Sequence, residues 1–150
     1  MKELLPPDAD ILCTHPMFGP ESGKHSWSNL PCVYERVRCT DHGRADAFLS
    51  IFRSEGCKMV EMACEDHDAA AAGSQFVTHF TGRMLARLGL RSTAINTKGF
   101  ETLLALVDNT CSDSFDLFSA LYKCNPNSTA QLDAMQRSMQ ASVIKDQLPL

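Results

Sequence analysis

The apolar residues of this chain change their spacing once, near Asp66, and that change restricts the fold to two successive kinds of layer. Before it, apolar positions come in short runs. Residues 10–14 form one, and residues 32–37 interleave Val33 and Val37 with charged Glu35 and Arg36, the two-residue period of a strand with one covered face. Ala45, Phe48, Leu49 and Phe52 then recur at helical spacing, with Thr40 or Asp41 placed to cap the helix and Gly56 where a C-terminal cap belongs. Residues 58–64 supply a third strand, so the first part reads strand, strand, helix, strand. Open α/β sheets place their chemistry at the carboxyl edge of their strands.

After Asp66 the spacing is helical to the end. Phe76, Phe80, Met84 and Leu88 recur every four residues across 69–88, with Val77 and Leu85 widening the stripe and Gly89 ending it. A loop over 91–97 leads to residues 99–109, where Phe100, Leu103, Leu104, Leu106 and Val107 make a segment too broadly apolar for a surface helix; central burial is expected. A third helix is expected over 114–123. A fourth, capped by Asn125-Pro126-Asn127-Ser128, runs to about residue 145 with Leu132, Met135, Met139 and Val143 on one stripe, and residues 147–150 should fray. The expected fold is an α/β remnant over 1–66 followed by an all-α unit over 67–150, mostly helical overall.

Length and charge narrow the partners. The 150 residues make one average domain or two small ones, and 44% hydrophobic with 21% charged residues describes an ordinary globular chain. A net charge of -4 offers none of the basic excess that nucleic acid or an anionic membrane surface would require, so neither is expected as a partner. No apolar run reaches the length of a membrane span, and MKELLPPDAD reads as neither a secretory signal nor a transit peptide, which as written predicts the cytosol. Seven cysteines at irregular spacing, with no CxxC pair, predict reduced, mostly buried thiols and no bound metal.

The run Thr14-His15-Pro16-Met17-Phe18-Gly19-Pro20-Glu21-Ser22-Gly23 follows the first strand, and EDHDAAAAGSQFVTH, INTKGFETLLALVDNT and DSFDLF lie downstream. Together they resemble the prephenate and arogenate dehydrogenases, the plant arogenate type in particular, from about residue 8 to 125. The resemblance implies that 1–66 is the C-terminal portion of a nucleotide-binding domain and 67–150 a helical substrate and dimerisation domain. It also implies oxidative decarboxylation of arogenate or prephenate with NADP, in tyrosine synthesis and typically in plastids. A dinucleotide site needs a strand, a Gly-rich turn and a helix. The 8 glycines form neither GxGxxG nor GxxxxGK[ST], and the histidine motif begins at residue 14. The chain alone is therefore expected to bind no NADP, and to be a truncated form inactive by itself.

His15 is the candidate catalyst. The resemblance implies that it hydrogen-bonds the substrate's ring hydroxyl and accepts its proton as hydride leaves, a task suited to an imidazole. The Gly19-Pro20 turn and Gly23 would let backbone approach a ligand closely. Gln75, His79 and Arg83 stand at i, i+4 and i+8, a shared helical face that is either the solvated side opposite Phe76 and Phe80 or a grip for carboxylates. The resemblance assigns Gln75 and His79 to substrate binding; Arg83 is added on charge and spacing alone. Thr97-Lys98-Gly99 opens the next helix, whose N-terminus attracts carboxylates. Bacterial relatives place an arginine just after a Gly-Phe here, whereas this chain reads Glu101-Thr102-Leu103-Leu104, which leaves Lys98 as the substitute. Asp113 has two readings: a helix cap with Asp116 three residues on, or, as the resemblance implies, the acid that selects arogenate's ammonium over prephenate's keto group.

Departures from the plant pattern bear on activity. No Ser-x-x-Ser-x-Lys segment precedes the histidine motif, and Ala94, Phe100 and Cys32 stand where proline, tyrosine and phenylalanine are common. Three readings follow. The chain is part of an oxidoreductase; or a non-catalytic interaction protein that dimerises with itself, a full-length homologue or another partner; or a sensor for arogenate, prephenate or tyrosine. Its apolar helical stripes predict a dimer in either of the first two.

Overall fold

A computed structural model describes residues 3–19 and 22–145, the last three of these by backbone alone. Contacts divide the chain into two compact units, Met1–His67 and Asp68–Leu150. The expected Gly19-Pro20 turn, the Val143 side chain and the fraying at 147–150 lie outside the described residues.

The first unit is a three-stranded sheet and one helix. Strands β1 (Ile11–Pro16), β2 (Pro31–Arg38) and β3 (Lys58–Glu61) lie in that order, with β2 antiparallel to β1 and parallel to β3. Helix α1 (His42–Ser54) makes the crossover from β2 to β3, capped by Asp41, whose side chain accepts from the Arg44 amide at 2.9 Å. Gly56, at φ 80, turns the chain out of α1, a left-handed conformation that favours glycine. Alternation along β2 sorts its side chains. Cys32 and Tyr34 are buried and Arg36 reaches Asp46 of α1 at 2.7 Å, which identifies their face as the one beneath α1. Leu49 and Ala45 of α1 are buried, while Phe48, expected beside them, is 44% exposed. Val33 and Glu35 take the opposite face, together with their cross-strand partners His15 and Cys13.

The strand boundaries differ from expectation at two informative places. β1 continues through His15 to Pro16, so the histidine stands on a paired strand rather than in a loop. β3 ends at Glu61, because Cys64 already opens a helix, α2 (Cys64–Ala71). The first helical turn leaves its amides without intrahelical acceptors, and Glu35 of β2 supplies one, accepting from the Cys64 amide at 2.8 Å.

The second unit is helical throughout. The single helix expected over 69–88 is α2, then a π-turn over Ala72–Phe76, then α3 (Val77–Arg87). Helices α4 (Lys98–Ser112), α5 (Phe115–Lys123) and α6 (Ser128–Lys145) follow. The π-turn sets Phe76, 1% exposed, at the centre, its ring 5.8 Å from those of Phe80 and Tyr122 and 6.5 Å from that of Phe118. Helices α3 and α4 cross closely at Gly82, where an added Cβ would collide with the side chain of Thr110. Thr110, wholly buried, satisfies its hydroxyl on the Leu106 carbonyl at 2.8 Å.

Two expectations about burial fail. Thr110 is the one buried residue of α4 among those described, and Leu103 is 39% exposed, so the helix lies at the surface of its unit rather than at its centre. The seven cysteines are free, yet only Cys32 and Cys57 are buried, whereas Cys111 and Cys124 are exposed.

Candidate functional site

The candidate residues of the first unit lie on the sheet face opposite α1. His15 is paired with Val33 on β2, and its Nδ1 stands 2.8 Å from Nε2 of His67 on α2. The rings meet edge to edge, with centroids 4.9 Å apart and planes at 63°. Only one hydrogen can lie between two nitrogens at that distance, so one ring donates and the other accepts. One rung away, Cys13 stands beside the helix start held by Glu35. There Cys64 is pushed up to about 12, because Glu35 hydrogen-bonds its thiol, burial disfavours the thiolate and Cys13 lies alongside. Fifty-two residues separate His67 from His15, and no local pattern announces the contact.

The candidate residues of the second unit gather where α3 meets the end of α4. His79, with a side chain 17% exposed, sets its Nδ1 3.8 Å from Oδ2 of Asp113. That nitrogen is sealed from solvent and lacks a hydrogen-bond partner among the described residues. Burial lowers the imidazole below its usual range, against the attraction of Asp113 and with a smaller push from Arg83, so His79 is kept neutral and retains a lone pair. Asp113 is not the cap of α5. Ser114 is, accepting from the Leu117 amide at 3.1 Å, and the Asp113 carboxylate is thereby released from the capping duty expected of it.

Arg83 is committed elsewhere. Its Nη2 donates to the carbonyls of Asp113 at 2.7 Å and Ser114 at 3.2 Å, and its guanidinium lies over the rings of Phe118 and Phe115 at 5.1 and 5.9 Å. It thus pins the α4–α5 corner that presents Asp113, and it lines a cavity of about 560 Å³ with Phe80, Met84 and Phe118. Gln75 lies in the π-turn, one element before His79 and Arg83 of α3, and is half-buried.

Thr97 and Lys98 lie far from this corner. Thr97 caps α4, accepting from the Phe100 amide at 3.3 Å, and Lys98, its side chain 91% exposed, pairs with Glu101 at 3.4 Å. The length of α4 separates them from Asp113 by about 20 Å at 1.5 Å per residue. No single small acid can touch both ends. Among the described residues no group of three or more metal-ligating side chains comes together.

The family described as "TYRAAT1-like, C-terminal domain" matches residues 84–149. The chain is 60% identical over 141 residues to arogenate dehydrogenase 2, chloroplastic, of Arabidopsis thaliana, covering 91% of this chain and 39% of that protein. It is 57% identical over 135 residues to arogenate dehydrogenase 1, chloroplastic, of the same plant, covering 87% of this chain and 21% of that protein. The chain therefore spans about two-fifths and one-fifth of the curated relatives it matches. A crystal structure of Synechocystis arogenate dehydrogenase shares the fold, with a TM-score of 0.56 at 16% identity over 81% of this chain and 46% of that one.

Proposed function

We propose that this chain, a homologue of part of the plant arogenate dehydrogenases, carries the proton-accepting and substrate-selecting residues for oxidative decarboxylation of arogenate. The identity of 60% over 141 residues to arogenate dehydrogenase 2 carries the reading. NADP, if held by the complete protein, would accept the hydride. In the reaction, His15 takes the proton of the ring hydroxyl as the adjacent C–H bond gives up hydride, and the carbonyl forms while carbon dioxide leaves.

The Asp113 carboxylate is an acceptor at this corner, 3.8 Å from Nδ1 of His79. Such a group suits a donor bearing positive charge and several hydrogens, which describes the side-chain ammonium of arogenate. Prephenate has a keto group there, which offers no donor and leaves repulsion between Asp113 and the carboxylate common to both side chains uncompensated. The plastid, named for both Arabidopsis relatives, is the compartment proposed for the activity.

A dimer is part of the proposal. Phe115 at 68%, Leu117 at 44% and Leu103 at 39% exposure are apolar residues that a second chain would cover. If two copies set their α4 helices antiparallel, the Thr97–Lys98 end of one would meet the Asp113 end of the other, reuniting residues that one copy keeps apart.

A chimera tests the function. With the part of Arabidopsis arogenate dehydrogenase 2 that this chain does not match placed before it, addition of arogenate should reduce NADP. A chimera that folds and binds NADP but leaves arogenate unoxidised overturns the reading.

A further inference from the structure

We infer that His67 is a positioning residue for His15: it accepts the Nδ1 hydrogen of His15 and so leaves the Nε2 lone pair of His15 facing the substrate. The inference rests on the reading of His15 as proton acceptor. It follows from what a 2.8 Å contact between His15 Nδ1 and His67 Nε2 permits. Two lone pairs at that distance repel, and two N–H groups clash, so a single hydrogen lies between them.

The two placements of that hydrogen have opposite consequences. If His67 donates, neutral His15 carries its own hydrogen on Nε2 and cannot act there as a base. If His15 donates from Nδ1, its Nε2 carries no hydrogen, and the proton accepted on catalysis goes to Nε2. The hydroxyl proton of the substrate moves to that nitrogen, the electron pair of the adjacent C–H bond leaves as hydride to the nicotinamide, and the carbonyl forms. His67 neither gains nor loses a proton. Its bond to His15 passes from neutral to charge-assisted as His15 becomes imidazolium, and therefore strengthens as the reaction proceeds. A carboxylate plays this part for the histidine of serine proteases; a neutral imidazole orients the ring equally well while placing no negative charge beside an anionic substrate.

The scaffold holds both rings. His15 is fixed by its pairing with Val33 in the sheet, and His67 lies one turn along α2 from Cys64, whose amide is anchored on Glu35 at 2.8 Å. Cys13 and His15 alternate onto one face of β1, and Cys64 and His67, three residues apart, share a face of α2. The strand and helix therefore meet along a two-rung edge, which limits rotation of either imidazole away from the other.

The test reads the tautomer directly. Long-range proton–nitrogen NMR on the labelled chain, at a pH where His15 is neutral, should show His15 protonated at Nδ1, whereas free imidazole side chains favour Nε2. His67→Phe, or His67→Ala should the larger residue prevent folding, should return His15 to the Nε2 form. His67→Gln, which keeps an acceptor at similar reach, should preserve the Nδ1 form. A His15 protonated at Nε2 in the unaltered chain, or an unchanged tautomer in every variant, overturns the inference.

In the arogenate-oxidising chimera, His67→Phe should lower kcat about tenfold or more with KM little changed, and His67→Gln should recover most of it. A loss confined to KM would overturn the positioning role. An unaltered chimera that never oxidises arogenate would defeat the proposed function, and the tautomer measurement would still decide the His15–His67 relationship.

Discussion

Nδ1 of His79 lies 3.8 Å from Oδ2 of Asp113, across the corner where α3 meets the end of α4. That separation is too long for a hydrogen bond and leaves an electrostatic contact between the two side chains. It brings together two residues thirty-four positions apart.

Asp113→Asn in the chimera should weaken arogenate turnover and relieve repulsion of prephenate, each by about 1–3 kcal/mol for a charged contact. The ratio of kcat/KM for the two substrates should therefore swing by about tenfold or more. Ser114→Ala is the control. It removes the true cap of α5 and should cost about 1 kcal/mol of stability, leaving the ratio alone. Equal ratios before and after Asp113→Asn would reject the selective role.

His79 is held below its usual range by burial, so the folded chain binds its proton less readily than the unfolded one. The stability this gives is present above the ordinary value of 6.5 and is lost as pH falls from there toward the lowered folded value. His79→Gln should flatten that part of the curve. Urea midpoints that fall equally steeply with acidification in both proteins would show that His79 is not responsible.

Gly82→Ala should destabilise the helical unit by about 1–3 kcal/mol, the usual cost of forcing atoms into a filled core. The new Cβ would press on Thr110, whose Cβ and Cγ2 lie at 3.0 and 3.1 Å from its ideal position. Thr110→Ala in the same chain should recover part of the loss, since it removes Oγ1 and Cγ2 and leaves only the Cβ contact. Additive losses in the double variant would mean that the two residues do not meet.

Alkylation under native conditions should reach Cys111 and Cys124 first, because both are exposed. Cys64, pushed up to about 12, and Cys32 and Cys57, raised chiefly by burial, should react last. Mass spectrometry of a partially labelled sample gives the order, and early modification of Cys64 would contradict the cluster it forms with Glu35 and Cys13.

Local spacing carried the succession of elements. Alternation in 32–37 and four-residue recurrence after Asp66 are properties of neighbours in sequence, and they placed β2 and the helices to within a few residues of where they stand. The length of α4 was legible for the same reason, but its burial was not. Leu103 and Phe100 are apolar whether or not anything covers them, and the structure leaves α4 at the surface of its unit.

Sequence by itself determined which residue types the chain brings and in what order: a histidine at the end of a strand, then a mostly helical remainder bearing His79 and Asp113. Only the tertiary structure decided their partners. It set His67 against His15, gave the cap of α5 to Ser114, committed Arg83 to the carbonyls of Asp113 and Ser114, and wound a π-turn through Gln75. The reason is one of range. A strand or helix period is set by backbone geometry over a few residues, whereas a contact between residues 15 and 67 depends on how whole elements pack.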